Sequence, residues 1–368
     1  MTENRAIRVL HVVPSMSLRA GMTSVVMNYH KAIDSNKIHF DYLYINPPEE
    51  RIPEAKALGA RVWRVPFTPC PSGFAKVERF FAQHAGEFDI VHCHQIFAPE
   101  IVGYFAKRNG AKRIVAHSHA TKYSDKLLSG IRNRFISLFV GLFATDYVAC
   151  SDAARRLLGR HGKDAYVMHN AIDCACFTFD ETARQQVRAE LGISEHTLLL
   201  GTLGRLEPQK NQLFLSEVMR VLVDRGIDCL LVIAGSGSLR NRIINKAETL
   251  GVGNRIMLIG DRSDPQRVYS AFDIFLLPSL FEGLPVSGVE AQVSGLPCVF
   301  SDTITREVAF GECDFVPLND AGAWASVIMD MPRNISRNNG PNLARSAGFD
   351  IVTEAKRLSD HYQAMLGY

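Results

Sequence analysis

The chain has 368 residues, 47% of them hydrophobic and 21% charged, with a formal net charge of +3. One domain usually spans about 100–200 residues, so two cores are expected, and the composition excludes a disordered or fibrous protein. No run of about 18 uncharged apolar residues occurs, which excludes a helical membrane span, and there is no low-complexity tract or internal repeat.

The opening MTENRAIRVLHVV lacks a basic region, a long apolar core and a small-residue cleavage site, and reads as a cytoplasmic start. Strand-like apolar runs follow at residues 7–13, 39–45, 61–65, 89–94, 113–117, 146–150 and 165–169, with helical segments between most of them. The pattern restarts at 197–204, 229–234, 255–259, 273–278 and 297–301. Such alternation predicts α/β architecture, two doubly wound parallel sheets with helices on both faces. A boundary is expected near residues 170–180, before a helix over 181–191. The polar stretch 332–341 precedes a last amphipathic segment, 351–365, expected to pack back on the first domain. Ligands of open parallel sheets bind beyond the carboxyl ends of the strands, so two such sheets imply a cleft between them.

Charge is uneven: residues 1–170 carry a net +9 and residues 171–368 a net −6. The first half either faces something anionic or is ordinary solvated surface. Residues 122–143 combine Lys122, Lys126, Arg132 and Arg134 with apolar positions at helical spacing. They suit an anionic lipid surface or a core-packing helix with a basic outer face. Cys93, Cys150, Cys229 and Cys298 lie in apolar runs, as reduced buried thiols do, and Cys174 and Cys176 form an isolated C-x-C without the second pair that zinc needs.

The strongest chemical signal is Pro278-Ser279-Leu280-Phe281-Glu282-Gly283-Leu284-Pro285 with Glu290, Ala291 and Gln292 beyond it. A strand ends, a loop turns and a helix begins with Pro285 near its first position. Backbone N–H groups around 283–286 would hold a diphosphate, while Glu282 and Glu290 would accept hydrogen bonds from sugar hydroxyls. Arg205 and Lys210 follow another buried strand, where together they would neutralise a leaving diphosphate. Gly235 and Gly237 follow a third, serving phosphate or a plain turn. After the first strand, Ala20 and Gly21 open a helix. His92 and His94, then His117 and His119, lie two apart at strand ends and share a face. Their spacing matches no zinc signature, so hydrogen bonding to a sugar or acceptor, or a structural role, is expected in place of a metal.

Together, His117-Ser118-His119, Ala149-Cys150-Ser151, 169–173, Gly204-Arg205 through Asn211, Phe281–Pro285 and Glu290-Ala291-Gln292 through Pro297 resemble glycosyltransferase family 4, and more narrowly its capsular and exopolysaccharide-biosynthesis members. The resemblance covers nearly the whole chain. It implies the GT-B fold, two Rossmann-like domains facing across a cleft, with residues 1–172 and the helix 351–368 on the acceptor side and 173–350 holding the nucleotide sugar. By that resemblance Glu282 would hold donor-sugar hydroxyls, Glu290 the ribose, and Arg205 and Lys210 the diphosphate. Gly260 and Arg262 would lie near the base, largely through backbone. His119, or His117 in the same motif, would approach the transferred sugar, with Ala20, Gly21, His94 and His117 on the acceptor side. Where the family carries paired glycines followed by Glu, this chain has Ala20-Gly21 and Thr23.

The implied function is retaining transfer of a hexose or N-acetylhexosamine from a nucleotide-diphosphate sugar, UDP-linked by preference, to a glycan or lipid-linked acceptor. No metal or cofactor and no nucleic acid is expected. The expected location is cytoplasmic, with peripheral contact at the inner membrane face left open. A nucleotide-sugar 2-epimerase and a non-catalytic nucleotide-sugar binder are the rivals. A dehydrogenase is disfavoured, since no full G-x-G-x-x-G follows the first strand.

Overall fold

The alternation of apolar runs and amphipathic stretches resolves into two parallel sheets in the computed structural model, which describes residues 5–18, 20–67, 70–95, 98–119, 139–332 and 335–368. The first sheet is built from β1 (Ile7–Ser15), β2 (Ile38–Asn46), β3 (Val62–Arg64), β4 (Ile90–Cys93), β5 (Arg113–Ser118), β6 (Asp146–Ala149) and β7 (Tyr166–Val167), in the order β3-β2-β1-β4-β5-β6-β7. The second holds β8 (Leu198–Leu203), β9 (Cys229–Ala234), β10 (Ile256–Gly260), β11 (Ile274–Leu277), β12 (Cys298–Ser301) and β13 (Cys313–Val316), in the order β10-β9-β8-β11-β12-β13. In each sheet the chain starts centrally, works outward to one edge and returns to the other side. The order therefore reverses between β1 and β4 and between β8 and β11, and the loops at those carboxyl ends diverge to leave room for a ligand.

The chain divides into two compact units, Met1–Ala171 with Ile351–Tyr368, and Ile172–Asp350. In the first unit one sheet face, with Leu10, Val12, Leu43 and Val91, buries against Phe80, Phe81, Ile101 and Val102 of the helices Pro71–Gln83 and Pro99–Arg108. The other face carries His11, Phe40, Tyr42 and His92, and the helix Ile351–Leu366 meets it through Tyr362. In the second unit Leu200, Leu231, Ile233 and Leu276 pack on Leu215, Val218 and Met219 of the helix Leu213–Asp224, on Ile243, and on Trp324 and Ile328 of the helix Ala321–Asp330. Each large side chain removed from water in this way contributes about 1.5–3 kcal/mol.

Two features depart from the sequence reading. β13 is an additional edge strand, paired Cys298 to Cys313 through Ser301 to Val316; Asp314 interrupts its apolar run, so periodicity gives no signal there. The stretch 332–341, read as polar, holds a half-buried cation. The Arg337 guanidinium donates to the carbonyls of Tyr269, Ser270, Phe272 and Ser294 at 2.9–3.1 Å and to Ser294 Oγ at 3.0 Å, and lies over the Phe179 ring at 4.2 Å. Desolvation lowers its pKa to about 9. Arg337 thereby caps the carbonyl ends of two helices, Pro265–Ala271 and Val286–Val293.

Candidate active site

In the second unit the loops after β8, β9 and β10 are tied together by backbone bonds: Gly204 N–H to Ala234 O (3.0 Å), Gly235 N–H to Gly260 O (2.7 Å) and Leu206 N–H to Ser236 O (2.9 Å). Gly235 sits at φ +140°, and a Cβ there would lie 2.0 Å from Gly204 O. The glycine is required by backbone meeting backbone. Gly260, at φ +72°, ends β10 with nothing within 4 Å of an added Cβ.

The loop after β8 passes through a short 3-10 turn, Pro208–Lys210, and reverses at Asn211 in the left-handed region (φ 53°). It is stitched to the Glu282 loop: Leu280 N–H donates to Gln209 O (2.8 Å), and Gln209 Nε2 to Phe281 O (3.0 Å) and the Glu282 carboxylate (3.3 Å). Lys210 Nζ donates to Glu282 Oε1 at 2.6 Å, with both side chains largely buried. The sequence assigned Lys210 to a diphosphate and Glu282 to sugar hydroxyls; the fold makes them partners. An ammonium has three N–H donors and a carboxylate two acceptor oxygens, so the pair sets a donor beside an acceptor. Arg205 is exposed on the same loop.

Gly283, Leu284 and Pro285 are buried. Pro285 is the N-cap of the helix Val286–Val293 and gives it no side-chain cap, and the first turn holds no acidic residue. The first N–H groups of such a helix have no intrahelical acceptor and suit an anion. Glu290, one turn further on, accepts a hydrogen bond from Tyr269 Oη at 2.8 Å. Desolvation raises its pKa to about 7, against the lowering effects of the Tyr269 bond and of the Lys210 charge. The Arg262 guanidinium is bound to Asp264 (2.8 Å) and Glu190 (2.5 Å). Its side chain is occupied, which leaves its backbone for a ligand.

In the first unit, Ala20 is the N-cap of the helix Gly21–Ala32, again without a side-chain cap, and Thr23 Oγ1 donates to Ser15 O at 2.7 Å. A Cβ on Gly21 would meet nothing within 4 Å, so packing does not demand a glycine there. His94, His117 and His119 lie together with His92 and with His11, which the sequence reading passed over. His11 Nδ1 is 2.9 Å from His94 Nε2, His94 Nδ1 is 2.9 Å from His119 Nε2, and His92 Nε2 is 3.0 Å from His117 Nδ1. His92 Nδ1 meets Tyr362 Oη at 2.6 Å. The register explains the grouping: His11 faces His92 across β1 and β4. The signal for His11 is its place at the centre of β1, flanked on both sides by apolar residues, Val9 and Leu10 before it and Val12 and Val13 after it.

All five rings are kept neutral. Burial holds His11, His92, His94 and His117 far below the usual imidazole value, neighbouring rings adding to it, and brings His119 down to about 3. Neutral imidazole is the metal-binding form, and His11, His92 and His94, or His94, His117 and His119, have nitrogens within 4.8 Å of one another. Their planes do not converge, however. His92 and His94 stack at 4.3 Å and 9°, and His117 and His119 at 3.7 Å and 25°. A nitrogen lone pair lies in its ring plane, so stacked rings do not aim at one point, and a metal would have to break the ring-to-ring bonds. The basic stretch 122–143 lies outside the described residues over 122–138. Among the described residues no helix is long and apolar enough to cross a membrane.

Comparison with known proteins gives this arrangement its family. The profile for glycosyl transferases group 1 matches residues 183–328, and that for glycosyltransferase family 4 matches residues 19–175. EpsF of Bacillus subtilis, described as a glycosyltransferase, is 34% identical over 317 residues, covering 83% of this chain and 81% of its own. The UDP-Gal:alpha-D-GlcNAc-diphosphoundecaprenol alpha-1,3-galactosyltransferase of Escherichia coli is 26% identical over 300 residues, 76% of each chain. Among solved structures, Anabaena HepE in complex with UDP superposes with a TM-score of 0.80 at 17% identity, over 97% of this chain and 100% of that one. The chain belongs to glycosyltransferase family 4 and is a glycosyltransferase enzyme of the GT-B type.

Proposed function

We propose that the chain is a retaining, metal-independent glycosyltransferase. It transfers a hexose or N-acetylhexosamine from a UDP-sugar to a glycan or lipid-linked acceptor in bacterial capsular, exopolysaccharide or lipid-linked glycan assembly. The observation that carries the reading is the joining of Lys210, Gln209 and Glu282 on two stitched loops, beside an uncapped helix start that bears Glu290. Arg205, Lys210 and the N–H groups near Gly283 take the diphosphate, whose charge grows as the glycosidic bond breaks; donors already aimed at that charge lower the barrier. Glu282 accepts from sugar hydroxyls and Glu290 from the ribose. The first unit takes the acceptor through Ala20, Gly21, His94 and His117, with His119 at the transferred sugar. Transfer proceeds on the front face, the donor diphosphate taking the acceptor proton, so no carboxylate nucleophile is assigned.

The UDP donor rests on the UDP complex of HepE and the UDP-galactose named for the E. coli relative; the lipid-linked acceptor rests on the latter. Action at the cytoplasmic membrane face is supported by Tyr104, Phe139 and Leu142, which expose apolar side chains. The test is thermal-shift screening against UDP, GDP, ADP and their sugars with EDTA present, for wild type and Glu290→Ala. A ligand of the native state raises its melting temperature. Selective stabilisation by a UDP-sugar, weakened in the variant and insensitive to EDTA, is expected. Absence of any nucleotide response, or a response that EDTA abolishes, overturns the reading. An epimerised nucleotide sugar formed without acceptor would transfer the chain to the isomerase class.

A further inference from the structure

The five-histidine cluster contains more order than a site for one imidazole requires. His11, His94 and His119 form a single file in which each ring gives one nitrogen to the next: Nδ1 of His11 to Nε2 of His94, then Nδ1 of His94 to Nε2 of His119, both at 2.9 Å. His11 and His94 are fully buried, while His119 is half-buried. His11 Nε2, at the inner end, is buried with no partner among the described residues. At the outer end, no described residue bonds His119 Nδ1.

A neutral imidazole carries one N–H, and each nitrogen-to-nitrogen contact needs one donor and one acceptor. If His94 donates from Nδ1, then His119 accepts at Nε2 and carries its proton on Nδ1. His94 Nε2 must then accept, so His11 also carries its proton on Nδ1. If His94 donates from Nε2 instead, all three rings carry the proton on Nε2. Any mixed arrangement leaves two lone pairs or two N–H groups facing each other at 2.9 Å. The second uniform state strands the His11 Nε2–H in the core without an acceptor; the first strands only a lone pair there, and unpartnered buried N–H groups are the rarer and costlier kind. That desolvation opposes the preference of histidine in water for the Nε2–H form.

The geometry points to His11 and His94 as positioning residues that lock His119 in the Nδ1–H tautomer, so that His119 offers a hydrogen-bond donor to an oxygen of its ligand. What that oxygen belongs to, a hydroxyl of the transferred sugar, rests on the proposed function; the tautomer does not. His119 then stabilises oxygen lone pairs and is not the base that removes the acceptor proton. A lysine or arginine would also donate, but would bring a full charge into a site that burial keeps neutral. A lone histidine would be free to present either face.

The test reads tautomers directly. The full-length protein is labelled with 15N-histidine, and long-range proton–nitrogen correlation spectra are assigned by single substitutions among its 12 histidines. The expected result is Nδ1–H for His11, His94 and His119. A mixed pattern, or Nε2–H throughout, overturns the proposal. In His11→Phe, which keeps the ring shape at the far end, His119 is expected to relax to a mixture although the two residues are not bonded to each other. His11→Gln, whose amide N–H can donate to His94 Nε2, is expected to restore the Nδ1–H form. An unchanged His119 spectrum in His11→Phe, with the fold intact by circular dichroism, overturns the relay. In transfer assays His11→Phe is expected to lower kcat about tenfold with nucleotide affinity unchanged. The locked tautomer in a protein that turns over no nucleotide sugar would leave the file standing and remove the functional reading.

Discussion

Lys210 and Glu282 show how one contact constrains two roles. The ammonium sits 2.6 Å from the carboxylate in a largely buried pair, so removing either partner strands a charge. Lys210→Met is expected to lower turnover about 10²–10³-fold, the usual loss when a donor to developing charge is deleted, and also to lower the melting temperature. The double variant Lys210→Met, Glu282→Gln should recover the melting temperature but not the turnover, which separates the structural from the chemical part. Glu290 carries a pH dependence. Its carboxyl is raised to about 7, so it gains a proton as pH falls through neutrality and loses acceptor capacity, which under the proposed function serves the ribose hydroxyls. Calorimetric titration should show UDP affinity falling below about pH 7, and a flatter profile for Glu290→Gln. An identical profile in both proteins would assign the titration elsewhere.

At the scale of elements, the loops after β8, β9 and β10 depend on backbone fit more than on side chains. Gly235→Ala places a methyl group 2.0 Å from Gly204 O, in a φ region that L-residues avoid. The expected cost is at least ~2 kcal/mol, seen as a lowered unfolding midpoint in urea, together with loss of nucleotide binding. Gly21→Ala meets no atom and should leave stability unchanged, so any effect on transfer would report the acceptor. The sequence announced the loops well, because Gly, Pro and paired charges after apolar runs are local signals. It did not announce Tyr269 as the partner of Glu290, or Arg337 as the cation that closes two helix ends, since both act across long stretches of chain on main-chain carbonyls or a single carboxylate. His11 is hidden for the same reason: a histidine amid the apolar centre of β1 acquires meaning only when β4 and β5 are laid beside it.

For the whole molecule, acid should act on the two units unequally. His11, His92, His94 and His117 are held neutral in the fold, whereas an unfolded chain protonates them near pH 6.5. Below that pH the unfolded state binds protons that the native state refuses, so stability falls with falling pH by ~1.4 kcal/mol per pH unit for each ring. Glu100 works in the opposite sense: its carboxyl is raised to about 8, and its penalty fades as pH falls from 8 toward 4.5. The second unit holds one histidine, the exposed His196. Hydrogen exchange at pH 5 should therefore show peptides of the first unit losing protection before those of the second; simultaneous loss would contradict the assignment of neutral rings.

The helix Ile351–Leu366 returns to the first unit after all of the second has been traversed, and its Tyr362 closes on His92. In the order of synthesis, the second unit is therefore an insert whose sequence is complete before its host has all its parts. A released chain truncated after Asp350 should still bind nucleotide through the second unit, while the histidine face of the first lacks its cover. The first unit is thus exposed to chaperones and proteases for the time needed to synthesise its own interruption.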